Sequence, residues 1–244
     1  MKHLKEYKLW EQSRELTPEQ EGFLNRYVKG TWRINSEGLV DVEGDFDCSR
    51  SGIKSLMGIR FGSVSGDFYC HRNNLTSLKG APLEVKGDFY CHRNQLTSLE
   101  GAPREVKRDF YCHENQLTSL EGAPREVGRD FDCCENHLTS LKGAPREVKR
   151  DFYCDRNQLT SLEGAPREVG GGFYCERNPI SDQTIELICQ KIMENPEMEY
   201  GAILASLQNR IPQEDWEKLD KSSLDKMNQT LKGVYGMLGG IGGV

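Results

Sequence analysis

Asp88-Phe89-Tyr90-Cys91-His92-Arg93-Asn94-Gln95-Leu96-Thr97-Ser98-Leu99-Glu100-Gly101-Ala102-Pro103-Arg104-Glu105-Val106-Lys107-Arg108 is one unit of a tandem repeat. Cys70, Cys91, Cys112, Cys133, Cys154 and Cys175 recur at intervals of 21, and five full units run from Asp67 to Gly171. A degenerate unit carrying Phe46, Cys48, Ile53 and Leu56 precedes them. A truncated one follows, with Phe173, Cys175, Asn178 and Ile180. A period in the twenties predicts a solenoid: each unit is one coil, and it buries its apolar side chains only by stacking on its neighbours.

Phe89 and Cys91 are two residues apart and so share one face of a strand. With Leu96, Leu99, Pro103 and Val106 they form the expected core. Asn94 stands where the chain leaves the strand. The column Asn73, Asn94, Asn115, Asn136, Asn157 and Asn178 is expected to be buried and to bond backbone groups of its own and the adjacent coil. Cysteine is small and often buried, so its column reads as core. In-phase cysteines about 4.8 Å apart on parallel strands suit neither disulfide geometry nor a tetrahedral zinc site. Free thiols point to a reducing compartment.

If Phe and Cys face inward, their neighbours face outward. Three outward columns follow. One is acidic: Asp67, Asp88, Asp109, Asp130 and Asp151. The second is aromatic: Tyr69, Tyr90, Tyr111, Tyr153 and Tyr174, broken by Asp132. The third is mixed: His71, His92, His113, Cys134, Asp155 and Glu176. Exposed tyrosines are large, stiff and able to hydrogen-bond, which suits a protein interface. The candidate partner-binding set is therefore Tyr69, Tyr90, Tyr111, Tyr153, Tyr174, His71, His92, His113, Asp88, Asp109 and Asp132. Repulsion along the Asp column is expected to be offset by Arg108, Arg129 and Arg150, with a bound divalent cation as the alternative. Adjacent imidazoles are an alternative zinc or nickel site. Away from this face, Arg104, Arg125, Arg146 and Arg167 form a basic row with Lys86, Lys107 and Lys149 close by. Glu84, Glu105, Glu126, Glu147 and Glu168, one residue on, are expected to neutralise it.

The repeat is flanked on both sides. Residues 1–43 are expected to form a helix and hairpin cap. Thr17-Pro18-Glu19-Gln20 reads as a capping box with Pro at N1, Phe23, Leu24, Tyr27 and Val28 have helical spacing, and Gly30 fits a C-cap. Trp32 to Val42 alternates around Ser36-Glu37-Gly38 as a hairpin. Residues 44–180 are the solenoid. Residues 181–244 are expected to form a helical C-terminal cap, through Ile185, Ile188, Ile192, Leu204, Trp216 and Leu231, with a Gly-rich tail.

The 244 residues carry a net charge of −6, which gives no global pull toward nucleic acid or anionic membrane and argues against both as partners. No apolar run approaches the ~20 residues of a membrane span. The N-terminus is charged throughout, unlike a secretory signal. Residues 181–244 show no paired carboxylates, nucleophile–base set or Gly-rich phosphate loop, and the expectation for the chain is a protein without catalysis, cofactor or metal.

The register Phe-x-Cys-x-x-Asn-x-Leu-x-x-Leu resembles the leucine-rich-repeat consensus over about residues 44 to 182, with Phe and Cys at its first two apolar positions. The unit length and the later Pro and Val resemble the short bacterial type. Over its whole length the chain resembles leucine-rich-repeat proteins of tailed bacteriophages. That likeness rests on Trp32 to Gly44, on the Leu-Thr-Ser-Leu-x-Gly-Ala-Pro units, and on Ile211-Pro212-Gln213-Glu214-Asp215-Trp216-Glu217-Lys218-Leu219-Asp220. It implies an α/β solenoid with a curved parallel β-sheet, capped at both ends and acting in a bacterial host cytoplasm. Such repeats commonly bind partners on the sheet face. The expected function is a non-catalytic protein-binding scaffold whose strand face engages a host or viral protein. The alternative is a solenoid that binds a metal or small ligand through its Asp or His columns.

Overall fold

The computed structural model describes residues 15–160 and 164–179. The chain enters through helix α1 (Pro18–Tyr27), opened as its sequence predicts: Thr17 Oγ1 accepts the Gln20 N–H, and Gln20 Oε1 accepts the Thr17 N–H. The helix ends at Val28, whose N–H still bonds Leu24, and not at Gly30. Gly30 lies inside strand β1 (Val28–Ile34), opposite Gly44 of the antiparallel strand β2 (Val40–Asp47). At φ 150° a Cβ on Gly30 would collide with the Glu43 carbonyl, so close strand approach, not helix capping, demands this glycine. The β1–β2 hairpin turns where expected, with Asn35 Oδ1 accepting the N–H groups of Glu37 and Leu39.

Strand β2 seeds two ladders. Its start pairs in parallel with β3 (Phe61–Val64) and its end with β4 (Phe68–Tyr69). The first ladder continues through β5 (Glu84–Val85), β7 (Glu105–Val106), β9 (Glu126–Val127), β11 (Glu147–Val148) and β13 (Glu168–Val169). The second continues through β6 (Phe89–Tyr90), β8 (Phe110–Tyr111), β10 (Phe131–Asp132), β12 (Phe152–Tyr153) and β14 (Phe173–Tyr174). Each residue pairs with its counterpart one coil on, as Phe89 does with Phe110 and Val106 with Val127. The fold is a parallel β-solenoid.

The α/β expectation needs correction within the array. Each described coil is two short strands joined by turns, and α1 is the only helix among the described residues. Each full coil returns through two left-handed positions, such as Arg93 (φ 55°) and Gly101 (φ 88°), and through a proline that lacks an N–H. These are turn features that interrupt a helix.

The inward set matches its periodicity. Phe68, Phe89, Phe110, Phe131 and Phe152 are fully buried and stack at 5.2–5.4 Å between neighbours from Phe89 to Phe173. The Cys, Leu and Val columns complete the core. Cys70, Cys91, Cys112, Cys133 and Cys154 are inaccessible free thiols, and Cys134 is half-buried. The Asn column is a hydrogen-bonded ladder. Asn115 Nδ2 donates to the carbonyls of Cys91 (3.1 Å) and Cys112 (3.0 Å), and its Oδ1 accepts the Leu96 N–H (3.1 Å). One side chain thereby satisfies backbone groups of two coils. Ile180 and the expected C-terminal helices lie outside the described residues.

Candidate functional site on the strand face

Strands of the β4–β14 ladder turn their Phe and Cys inward, which places the Asp, Tyr and His columns side by side on the opposite face. The Asp column is more structural than its charge suggests. Asp109 Oδ1 accepts the Asp130 N–H (3.0 Å), and Asp88 Oδ1 accepts the Asp109 N–H (3.0 Å). The same bond runs from Asp45 to Gly172. Each carboxylate thus ties down the corner of the next coil. Asp88 is only 4% exposed, so its place among exposed contact residues is withdrawn. Burial raises the Asp109 carboxyl above the usual range, opposed by its bond from Asp130 N–H. The expected pairing with the immediately preceding arginine is replaced by a longer reach: Arg108 lies 3.4 Å from Asp88 and 3.6 Å from Asp67, and Arg129 acts electrostatically on Asp109.

The tyrosines form a packed ladder. Ring centroids lie 5.2 Å apart for Tyr69–Tyr90, 4.9 Å for Tyr90–Tyr111 and 4.8 Å for Tyr153–Tyr174. Three of the hydroxyls are anchored: Tyr69 donates to Asp67 (2.7 Å), Tyr90 to Asp88 (3.4 Å) and Tyr153 to Asp151 (3.1 Å). Burial first, then the neighbouring carboxylates, pushes these phenols up, so they stay neutral donors. Tyr69, Tyr90, Tyr111 and Tyr153 are therefore half-buried rather than fully exposed, because each ring covers the next; Tyr174, at the end, is exposed.

His71, His92 and His113 stack face to face at 4.5 and 4.3 Å. Stacked rings hold their in-plane lone pairs parallel, so they do not converge on one ion. Among the described residues no group of three or more His, Cys, Asp or Glu is placed to hold a metal. The Nδ1 atoms of His71 and His92 are buried without a hydrogen-bond partner. His113 Nδ1 lies 2.9 Å from Asp132 Oδ2, at ion-pair distance but without hydrogen-bond alignment. Burial raises the Asp132 carboxyl, but His113 and the Cys134 N–H outweigh it and hold it low.

Burial pushes His92 down to about 3, with His113 and His71 adding repulsion, and burial also lowers His71. A histidine depressed below its ordinary ~6.5 binds fewer protons folded than unfolded. Its contribution is therefore complete above about pH 6.5 and is lost as pH falls toward about 3. Urea midpoints at pH 7.5 and 4.5 should show wild-type protein losing about 1–2 kcal/mol more than His92→Gln, a value discounted for the partly wet ring. Equal losses would contradict the stacked column.

At Asp132 the aromatic ladder is interrupted. Asp132 Oδ1 accepts the Cys134 N–H (2.9 Å), and the Cys134 thiol approaches Asp155 Oδ2 (3.5 Å). Beyond the break, Cys134, Asp155 and Glu176 replace imidazoles, and a cavity of about 340 Å³ opens between them, Tyr153 and Tyr174. Glu135, Arg156 and Arg177 also line it and were not in the expected site set. The loss of aromatic rings from the third column was the signal that could have located it.

The basic row behaves differently from expectation. Glu105 pairs with Lys107 and Glu147 with Lys149 along their own strands. No described residue forms an ion pair with Arg104, Arg125, Arg146 or Arg167, so the row is not neutralised pair by pair by the glutamates beside it in sequence. No protein family, curated protein or solved structure matches the chain.

Proposed function

We propose that the chain is a non-catalytic protein-binding scaffold of the leucine-rich-repeat type, using its strand face to engage a host or viral protein in a bacterial cytoplasm. The observation that carries this reading is the anchored tyrosine ladder. Rings that stack at 4.8–5.2 Å with hydroxyls tied to a carboxylate column have already lost most of their rotamer freedom. Binding through them costs little further side-chain entropy. The leucine-rich-repeat assignment is supported by the Asn ladder at the consensus position. A capping role for α1 is supported by Phe23 and Tyr27, whose rings lie 5.8 and 6.2 Å from Phe46 of the first coil. Among the described residues the free thiols of Cys48, Cys70, Cys91, Cys112, Cys133, Cys134 and Cys154 fit a reducing compartment. Among the described residues no helix is long and apolar enough to cross a membrane.

The test is affinity capture from bacterial lysate with wild-type chain, Tyr90→Ala/Tyr111→Ala and Arg125→Ala/Arg146→Ala. Because the tyrosines are half-buried, the first double variant should lose about 1–3 kcal/mol of stability yet remain folded by circular dichroism. It should also lose at least ~2 kcal/mol of partner affinity, while the arginine variant retains its partner. Undiminished capture by the folded tyrosine variant would contradict the proposal.

A further inference from the structure

We propose that the corner carrying the Ala-Pro-Arg turns is a second docking surface, for an extended acidic protein segment bearing one bulky apolar side chain. The arginine row is held at fixed pitch by its own backbone. The N–H groups of Arg125, Arg146 and Arg167 donate to the carbonyls of Arg104, Arg125 and Arg146, at 3.4, 2.7 and 2.9 Å. Four cations are thereby spaced at about one strand separation, ~4.8 Å. Two of the glutamates that follow these arginines are engaged elsewhere, Glu105 on Lys107 and Glu147 on Lys149. In a chain of net charge −6, a row of four arginines with no ion pair to a described residue is a local reversal of sign.

The ground beneath the row is a cavity of about 410 Å³ floored by small residues, among them Ala144, Pro145 and Gly164. A narrow Ala-Pro-Gly floor admits an extended backbone and offers no aromatic ring on which a base could stack. In the first full coil the arginine position is taken by Leu83, which is 45% exposed. It borders a cavity of about 570 Å³ shared with Leu39, Phe61 and Ala81. The surface thus begins at an apolar seat and continues as cations. From Leu83 to Arg167 is four coil steps, about 19 Å at ~4.8 Å each. About six extended residues at ~3.3 Å span it. Alternate side chains at ~6.6 Å bring about three carboxylates over four long, adaptable guanidinium arms.

The experiment is fluorescence anisotropy of the full chain with a labelled peptide of about eight residues, alternating Glu with Ser and carrying one terminal Leu, long enough to cover the span. The controls are the same peptide with Gln for Glu, and an oligouridylate of equal length. The Glu peptide should bind at least ~10-fold more tightly than the Gln peptide, and weaken with added salt. Arg125→Gln/Arg146→Gln should weaken it by ~10-fold or more, and Leu83→Ser by several-fold, with unchanged circular dichroism. Tyr90→Ala/Tyr111→Ala, on the strand face, should bind the peptide as wild type does. Equal binding of Glu and Gln peptides, indifference to the arginine changes, or tighter binding of the oligouridylate would each overturn the proposal.

Discussion

Replacing Gly122 with alanine is expected to destabilise the solenoid by at least ~3 kcal/mol, enough to abolish a cooperative urea transition in the affected coils. Gly122 sits at φ 91°, and a Cβ there would lie 2.5 Å from both the carbonyl carbon and oxygen of Leu99 and 2.6 Å from Glu100 N. Those atoms belong to the backbone of the preceding coil and cannot rotate away. The two coils would have to separate, breaking the register that buries Phe, Cys and Leu on both sides. Gly22 is the control. It lies in α1 with nothing within 4 Å of its would-be Cβ, so Gly22→Ala should stabilise by about 0.5–1 kcal/mol through helix propensity. A Gly122→Ala protein within ~0.5 kcal/mol of wild type would mean that the coils are not stacked this closely.

The second large effect is expected at Asn115. Alanine there removes two bonds to Cys carbonyls and one from the Leu96 N–H. All three backbone groups are buried, and leaving buried groups unpaired costs about 1–3 kcal/mol. Gln116, its exposed neighbour, tests specificity: Gln116→Ala should stay within ~0.5 kcal/mol. Equal urea midpoints for the two variants would remove the case for the ladder.

The period, the inward Phe-Cys-Leu-Val set and the Asn ladder were legible in the sequence because they are in phase. In a solenoid, a residue's neighbour across the sheet is its own counterpart one unit on, so repetition along the chain reports packing in space. Features set by corners were less legible. Alternation tells which way Asp88 points but not how deep the corner lies, nor that the backbone N–H of Asp109 would claim its carboxylate. Tyr90 reads as outward from its spacing, yet identical rings on both sides half-bury it. Glu105 looks adjacent to Arg104, but a strand puts residues two apart on one face, so Glu105 meets Lys107 while Arg104 stays in the turn. Gly30 resembles a helix cap until Gly44 is seen opposite it. The second short strand, Glu105–Val106, carries no more β signal than a turn does; only stacking against Glu84–Val85 and Glu126–Val127 makes it a ladder.

Which columns face outward decides both proposed surfaces, and native thiol labelling followed by peptide mass mapping reads that directly. Cys112 is fully buried, and burial pushes its thiol well up; Cys134 is half-buried on the strand face. Cys70, Cys91, Cys112, Cys133 and Cys154 should stay unmodified in native protein while Cys134 is labelled first among the repeat cysteines, and all should react in urea. Native labelling of Cys112 as fast as in urea would shift the strand register by one residue, turning the tyrosines inward and contradicting the account.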